Sequence, residues 1–309
     1  SKIDTLEEPP LVTWNTIISS PYNDSINLRC NDTKDGSIHL QLSGGHGNYK
    51  FQWTGSSNIK VNSQNQDSLD AGNYYVTIMD TSIRYTELAI ITKVCYYRDS
   101  FTLLKPEPLN LSSTTSDYNG YNISCNGNND GYINTFVSGG KGNYHYEWYK
   151  EGSDISLSSQ SSVTGLSAGR YHVDVTYGLG CTRTWEFEMN EPDEIINNVE
   201  ISNYNGFNIS CYGKNDGFIH PQISGGIPFY NYKWYKNGSL LSLEKNIQSI
   251  STGIYKLEVT DKNNCKKTWT YNLNQPEKIS IATQSTRLSC NGTDDGKAWI
   301  SSINGGIKP

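Results

Sequence analysis

Four times along the chain a cysteine is followed at the fifth and sixth positions by Asp-Gly. Cys30 precedes Asp35-Gly36, Cys125 precedes Asp130-Gly131, Cys211 precedes Asp216-Gly217 and Cys290 precedes Asp295-Gly296. Recurrence at one fixed spacing is the mark of a repeat array, in which each unit is one small structural element and stability comes from the units and their neighbours. A chain of 309 residues built this way folds as several small domains rather than one large core.

The rest of the unit repeats in phase. Gly-Gly follows each first cysteine by 14 or 15 residues, at Gly44-Gly45, Gly139-Gly140, Gly225-Gly226 and Gly305-Gly306. Trp53, Trp148 and Trp234 stand 23 residues after the first three cysteines. A turn and an alternating strand come next, as Ala71-Gly72 with Tyr74, Ala168-Gly169 with Tyr171 and Thr252-Gly253 with Tyr255. A second cysteine closes each copy: Cys95, Cys181 and Cys265 each precede a proline by 11 residues, and Pro106, Pro192 and Pro276 are each followed three positions on by Leu109, Ile195 or Ile279. These steps predict module 1 over residues 12–108, module 2 over 109–194 and module 3 over 195–278, with the tail of a preceding copy at 1–11 and the start of another at 279–309. The first copy carries an insertion of 11 residues near 81–93, between Gly72 and Cys95.

Only 35% of residues are hydrophobic, yet 22 Tyr, 7 Trp and 7 Phe give each module the means to bury a core. The aromatics alternate before each tryptophan, as Tyr49-x-Phe51-x-Trp53, Tyr144-x-Tyr146-x-Trp148 and Tyr230-x-Tyr232-x-Trp234. Period two places three rings on one face of a strand, with Trp53, Trp148 and Trp234 as core residues. Short strands between regular turn signals predict an all-β fold of tandem β-sandwich modules joined into an elongated rod.

Seven cysteines in this framework predict one disulfide per complete module and an oxidising compartment. Spacing alone does not fix connectivity. Pairing within a repeat treats each complete copy alike, and it joins Cys30 to Cys95, Cys125 to Cys181 and Cys211 to Cys265, leaving Cys290 unpaired by truncation. The order Cys, Trp, Cys resembles immunoglobulin domains, in which a buried tryptophan packs on an inter-sheet disulfide. Two residues before the second cysteine stand Lys93, Leu179 and Asn263 instead of tyrosine, so an immunoglobulin-like sandwich is expected without true immunoglobulin topology.

Taken together, Cys-x4-Asp-Gly, Gly-Gly, the aromatic strand ending in Trp, Ala-Gly-x-Tyr and the closing Cys with its downstream Pro resemble the SprB repeat of Bacteroidetes surface proteins, best in the second and third copies. The resemblance implies a segment of a large cell-surface adhesin, exported by the type IX secretion system to the exterior of the outer membrane and engaged in adhesion and gliding motility. The partners it implies are extracellular surfaces or polysaccharide and the gliding or secretion machinery of the cell envelope. A glycan-binding or accessory region of a secreted hydrolase is the alternative.

Candidate chemistry is sparse. The loops Asn31 to Asp35, Asn126 to Asp130, Tyr212 to Asp216 and Asn291 to Asp295 hold enough oxygen atoms for calcium, but only Asp-Gly is kept between copies and two loops carry lysine. Tight-turn roles account for that pattern with fewer assumptions. His39, His46, His145, His172 and His220 each occur in one copy, with no cysteine or carboxylate at metal or catalytic spacing. The Gly-Gly pairs read as turns, because no P-loop Lys-Ser/Thr follows. No cofactor, metal or catalytic residue is expected, and the chain reads as a non-enzyme. Tyr149 and Tyr235, beside the tryptophans on the opposite strand face, are the candidates for sugar stacking. Asp4 to Leu6, Asp24 to Ile26 and Asp67 to Leu69 resemble an O-glycosylation signal of that phylum. A formal net charge of -6 without a basic run argues against nucleic acid, and no apolar stretch approaches a membrane span.

Overall fold

The computed structural model describes residues 8–85 and 89–307, and every regular element in it is a β-strand. In the first copy these are β1 (Thr13–Ile18), β2 (Gly36–Ser43), β3 (Tyr49–Gly55), β4 (Gln66–Leu69), β5 (Gly72–Tyr85) and β6 (Ile90–Leu103). They form two antiparallel sheets of order β1-β2-β4 and β3-β5-β6. The second copy contains β7 (Glu107–Thr115), β8 (Gly131–Gly140), β9 (Tyr144–Lys150), β10 (Ser162–Leu166), β11 (Gly169–Tyr177) and β12 (Cys181–Met189), with sheets β10-β8-β7 and β12-β11-β9.

In the third copy the first strand divides into β13 (Ile196–Asn197) and β14 (Glu200–Ile201), and the second into β15 (Gly217–His220) and β16 (Ile223–Ser224). Then come β17 (Asn231–Lys236), β18 (Ser239–Ser242), β19 (Ile247–Ile250), β20 (Gly253–Thr260) and β21 (Lys266–Leu273). Sheets β14-β15-β19 and β18-β17-β20-β21 result, and a final hairpin pairs β22 (Ser280–Thr286) with β23 (Lys297–Asn304). The chain divides into two compact units. One comprises the chain up to Thr114 with 134–163 and 171–187, the other 115–133, 164–170 and the chain from Glu188 on.

The fold is all-β and immunoglobulin-like. First, second and fourth strands form one sheet and third, fifth and sixth the other, which is the constant-type immunoglobulin order without its fourth strand D. The likeness in strand order therefore exceeds what the sequence suggested, while the disulfide departs from it. The period-two reading of the aromatic strands holds, because Trp53, Trp148 and Trp234 are at most 1% exposed. Removing a side chain of this size from water, roughly 200 Å², is worth about 5 kcal/mol. Each indole N–H also reaches a carbonyl in the following connection: Trp53 to Ser63 at 2.7 Å, Trp148 to Gln160 at 2.9 Å and Trp234 to Lys245 at 3.3 Å. In the first unit Trp53 packs with Leu28, Ile38, Tyr74 and Leu103, and in the second Trp234 packs with Ile209, Ile219, Tyr255 and Leu273.

The turn signals have a steric cause. At Gly44, Gly139, Gly225 and Gly305 φ lies between 79 and 86°, and a Cβ would run into the carbonyl oxygen of Leu11, Pro108, Glu194 or Lys278 in the junction segment. The second glycine donates its N–H back to that segment, Gly45 to Pro10 at 2.7 Å, Gly226 to Asp193 at 2.8 Å and Gly306 to Glu277 at 2.9 Å. In the first sandwich the 11-residue insertion lengthens the β5–β6 hairpin, whose pairing runs from Gly72 with Leu103 up to Tyr85 with Ile90.

Candidate functional site

The polar loop after each first cysteine is closed by its own aspartate. One carboxylate oxygen accepts the N–H of the residue before the cysteine in all four copies: Arg29 to Asp35 at 3.2 Å, Ser124 to Asp130 and Ser210 to Asp216 at 3.1 Å, and Ser289 to Asp295 at 3.0 Å. The Ser124 and Ser210 hydroxyls donate to the other oxygen, a place taken in the first copy by Nε of Arg29 at 2.6 Å. Burial raises the Asp35 and Asp130 carboxyls, but hydrogen bonds from Arg29 and Thr33, and from Ser124 and Asn128, outweigh it and hold both below the usual range. Hydrogen bonds from Ser210 lower Asp216, and those from Ser289 and Thr293 bring Asp295 to about 2. The aspartates thus serve as loop clasps. Among the described residues no three His, Cys, Asp or Glu side chains come together as a metal site.

In the first three copies the glycine after the aspartate is needed for close packing. A Cβ on Gly36, Gly131 or Gly217 would sit 3.0 Å from the carbonyl oxygen of Leu69, Leu166 or Ile250. One recurrent device escaped the sequence reading. Asn27, Asn122 and Asn208, three residues before the cysteine, donate from Nδ2 to the carbonyls of Ser19, Ser116 and Ser202 at 2.8 to 3.0 Å. Their Oδ1 atoms accept from the N–H groups of Leu104, Asn190 and Asn274 at 2.8 to 3.1 Å, pinning the cysteine loop to the end of the last strand. The signal was present as Asn-aliphatic-x-Cys in three copies.

The cysteine pairing expected from the sequence is overturned. Cys30 bonds to Cys181 with Cα atoms 5.8 Å apart, and Cys125 to Cys265 at 5.7 Å. The first cysteine of one repeat is joined to the second cysteine of the next. Cys95 and Cys211, expected in bridges, are free and exposed, and Cys290 is free as well. The reason is strand length. The Cys30 loop is fixed to the base of the β5–β6 hairpin through Asn27 N–H to Leu104 O at 2.8 Å, whereas Cys95 lies opposite Asp80, eight residues further along β6 from Leu103. Eight extended residues span about 26 Å. A disulfide needs Cα atoms within about 7 Å. Cys265 stands equally far from its own repeat's loop, since β21 runs to Leu273 and Asn274 is tied to Asn208.

The hairpin of the following repeat fills that distance. In the first unit Cys181 Sγ lies 3.3 Å from Arg29 O, and Lys141 of the same repeat pairs with Asp24 at 2.7 Å. In the second unit Asn263 Nδ2 donates to the carbonyls of Tyr118 at 3.1 Å and Ser124 at 2.9 Å, its Oδ1 meets Asn119, and Lys267 pairs with Glu194 at 2.5 Å. Each disulfide closes a long stretch, with sequence separations of 151 and 140. On the chain-entropy model each bond taken singly is worth about 5 kcal/mol.

Several histidines gain partners that sequence spacing did not predict. His39 meets Asp67 at 2.7 Å and His46 meets Asp80 at 3.2 Å, while His220 stacks on Phe218 at 4.5 Å. Tyr149 stacks on His172 at 5.2 Å and is half-buried. Tyr235 is also half-buried and borders an open groove with Ile254, Lys256 and Glu258. Asp24 accepts the Ile26 N–H at 2.7 Å, a local turn, and Asp4 to Leu6 lie outside the described residues. No helix among the described residues is long and apolar enough to cross a membrane.

The family model described as SprB repeat matches residues 23–58, 121–152 and 207–239, each running from around the first cysteine loop to the aromatic strand. The chain thus contains SprB repeats at these three places. Among solved structures it is similar to the N-terminal eight Ig domains of Down syndrome cell adhesion molecule, at 9% identity and TM-score 0.30, over 90% of this chain and 49% of that one. It thus spans about half the length of that relative. It is also similar to a marsupial T cell receptor, at 10% identity and TM-score 0.30 over 85% of this chain and all of that one, and to the insect immune protein hemolin, at 12% identity and TM-score 0.22 over 82% and 75%. No curated protein matches the chain significantly.

Proposed function

We propose that this chain is a non-catalytic, tension-transmitting segment of a cell-surface adhesin, resembling the SprB gliding-motility adhesin exported by type IX secretion. The observation that carries the reading is the staggered cross-linking of Cys30 to Cys181 and Cys125 to Cys265. A tether between a cell and a surface has to transmit tension without unravelling. From Cys30 to Cys265 the reduced backbone can extend by roughly 235 residues, about 800 Å. With both bonds intact the shortest covalent route uses only the stretch between Cys125 and Cys181, roughly 56 residues or about 190 Å. Overlapping bonds therefore limit extension about fourfold without a larger core.

Adhesion then comes from many weak contacts held on one filament, since linked sites raise one another's effective concentration. Two measurements test this. Under force spectroscopy the chain held beyond Cys30 and Cys265 should release about 600 Å more length after reduction. Cells whose surface protein lacks residues 12–278 should export it normally yet lose attachment and surface movement. Unchanged attachment in those cells, with strong binding of the isolated chain to one glycan, would favour the glycan-binding alternative.

A further inference from the structure

At the third cysteine loop the structure holds half of a junction. The junction aliphatic three residues after each proline is buried at Leu109 (2% exposed) and Ile195 (6%), and Val12 in the same place is 3% exposed, but Ile279 is 60% exposed. Beside it, Cys211, Tyr212, Pro276, Gly306 and Ile307 line an open, largely apolar cleft of about 460 Å³. Equivalent clefts at Cys125 and Asn31 include residues of the next repeat's cysteine hairpin, Cys265 with Lys266 in one and Tyr177 with Thr182 in the other. Among the described residues no sheet covers the hairpin β22–β23 next to Ile279, leaving Ile281, Leu288, Ile300 and Ile303 between 54 and 61% exposed.

The hydrogen-bond acceptors of this junction are in place. At the second loop the incoming Asn263 binds the Tyr118 and Ser124 carbonyls. Tyr204 and Ser210 stand at the corresponding positions before Cys211, and the Tyr204 loop is closed as the Tyr118 loop is, by N–H of Tyr204 to Phe207 O at 2.6 Å and of Tyr118 to Tyr121 O at 2.7 Å. Asp216 holds Ser210 as Asp130 holds Ser124. Cys290 sits in a loop of the same kind but is preceded by Gln284-Ser285-Thr286, without the Tyr-Asn-Gly turn found at Tyr118 and Tyr204.

We propose that Cys211 and the apolar face around Ile279 are a docking site for the cysteine-bearing half of a further SprB repeat, sealed by a disulfide between Cys211 and that repeat's second cysteine. Bond formation removes one proton and one electron from each thiol, and a small-molecule disulfide of an oxidising compartment takes up the two electrons and is reduced to two thiols. Cys95 is the complementary group. It occupies in its hairpin the register position that Cys265 has in its own, opposite Asp80 as Cys265 is opposite Asp261.

The probe is a synthetic peptide of residues 253–273, whose only cysteine is Cys265, supplied as its mixed disulfide with glutathione. The native 309-residue chain is incubated with it, and capture is mapped by mass spectrometry at Cys211, Cys95 and Cys290. Attack by the chain's thiolate releases glutathione, so no further oxidant is needed. The peptide should join Cys211 at least about 10-fold faster than Cys290 or Cys95, and a peptide carrying Asn263→Ala should lose most of that preference. Equal capture at the three cysteines, or a Cys211 preference indifferent to Asn263→Ala, would overturn the proposal. The adhesin reading would stand in either case, because it rests on the two bonds already formed.

Discussion

The cysteine hairpins of the first and third copies start alike and end differently. Both begin with a glycine opposite a leucine, Gly72 with Leu103 and Gly253 with Leu273, and both climb eight residues to an aspartate facing a cysteine. In the third copy the chain then turns through Lys262-Asn263-Asn264, and Asp261 Oδ1 accepts the N–H groups of Asn263 at 2.9 Å and Cys265 at 2.8 Å. In the first copy the strands continue, and Asp80 Oδ1 is buried without a hydrogen-bond partner. The other oxygen does the same work in both, receiving the N–H of His46 at 2.9 Å or of Ile227 at 2.8 Å beside the Gly-Gly turn. The cysteine's place is therefore measured from the base of the hairpin. Additions at the tip leave the cross-linking register untouched.

The largest expected effect breaks this comparison at the aspartate. Asp261→Ala orphans three N–H groups and should cost about 3–4 kcal/mol in urea unfolding of the oxidised chain, whereas Asp80→Ala removes fewer contacts along with a buried unpartnered oxygen and should cost about 1 kcal/mol. Equal costs would mean that the turn donors contribute nothing. A smaller effect of opposite sign should follow from replacing Thr81–Val94 by Lys-Asn-Asn, the turn of the third copy. Supplying donors to Asp80 Oδ1 should raise the midpoint of the first sandwich by the equivalent of about 1 kcal/mol.

Much of this was legible in the sequence. Alternating rings predicted the strand face that buries Trp53, Trp148 and Trp234, and the glycine pairs predicted turns, because both depend on local geometry. Cysteine connectivity was not legible for a reason of symmetry. Shifting every partner by one repeat leaves a periodic pattern unchanged, so within-repeat and next-repeat pairing look alike in the spacing of Cys30, Cys95, Cys125 and Cys181. What separates them is a distance along a strand, visible only once Leu104 is known to sit beside Asn27. The aspartate clasp lay between these cases. Its fixed spacing showed in every copy, but only the structure gives Asp35, Asp130, Asp216 and Asp295 a common donor.

The smallest effect concerns pH. Asp295 is held at about 2 against an ordinary 3.8, so its clasp is fully present above the unfolded value and is lost as pH falls through about 2. The amide signal of Ser289 should titrate with a midpoint near 2, and Asp295→Asn should abolish that titration. A midpoint near 4 would remove the clasp from the account of these loops.

The most direct test of the staggered cross-links is alkylation of the native chain followed by non-reducing peptide mapping. Staggered bonds give peptides joining Cys30 to Cys181 and Cys125 to Cys265, with alkyl groups on Cys95, Cys211 and Cys290. Peptides joining Cys125 to Cys181, or Cys211 to Cys265, would contradict the stagger and return each repeat to an independently closed module.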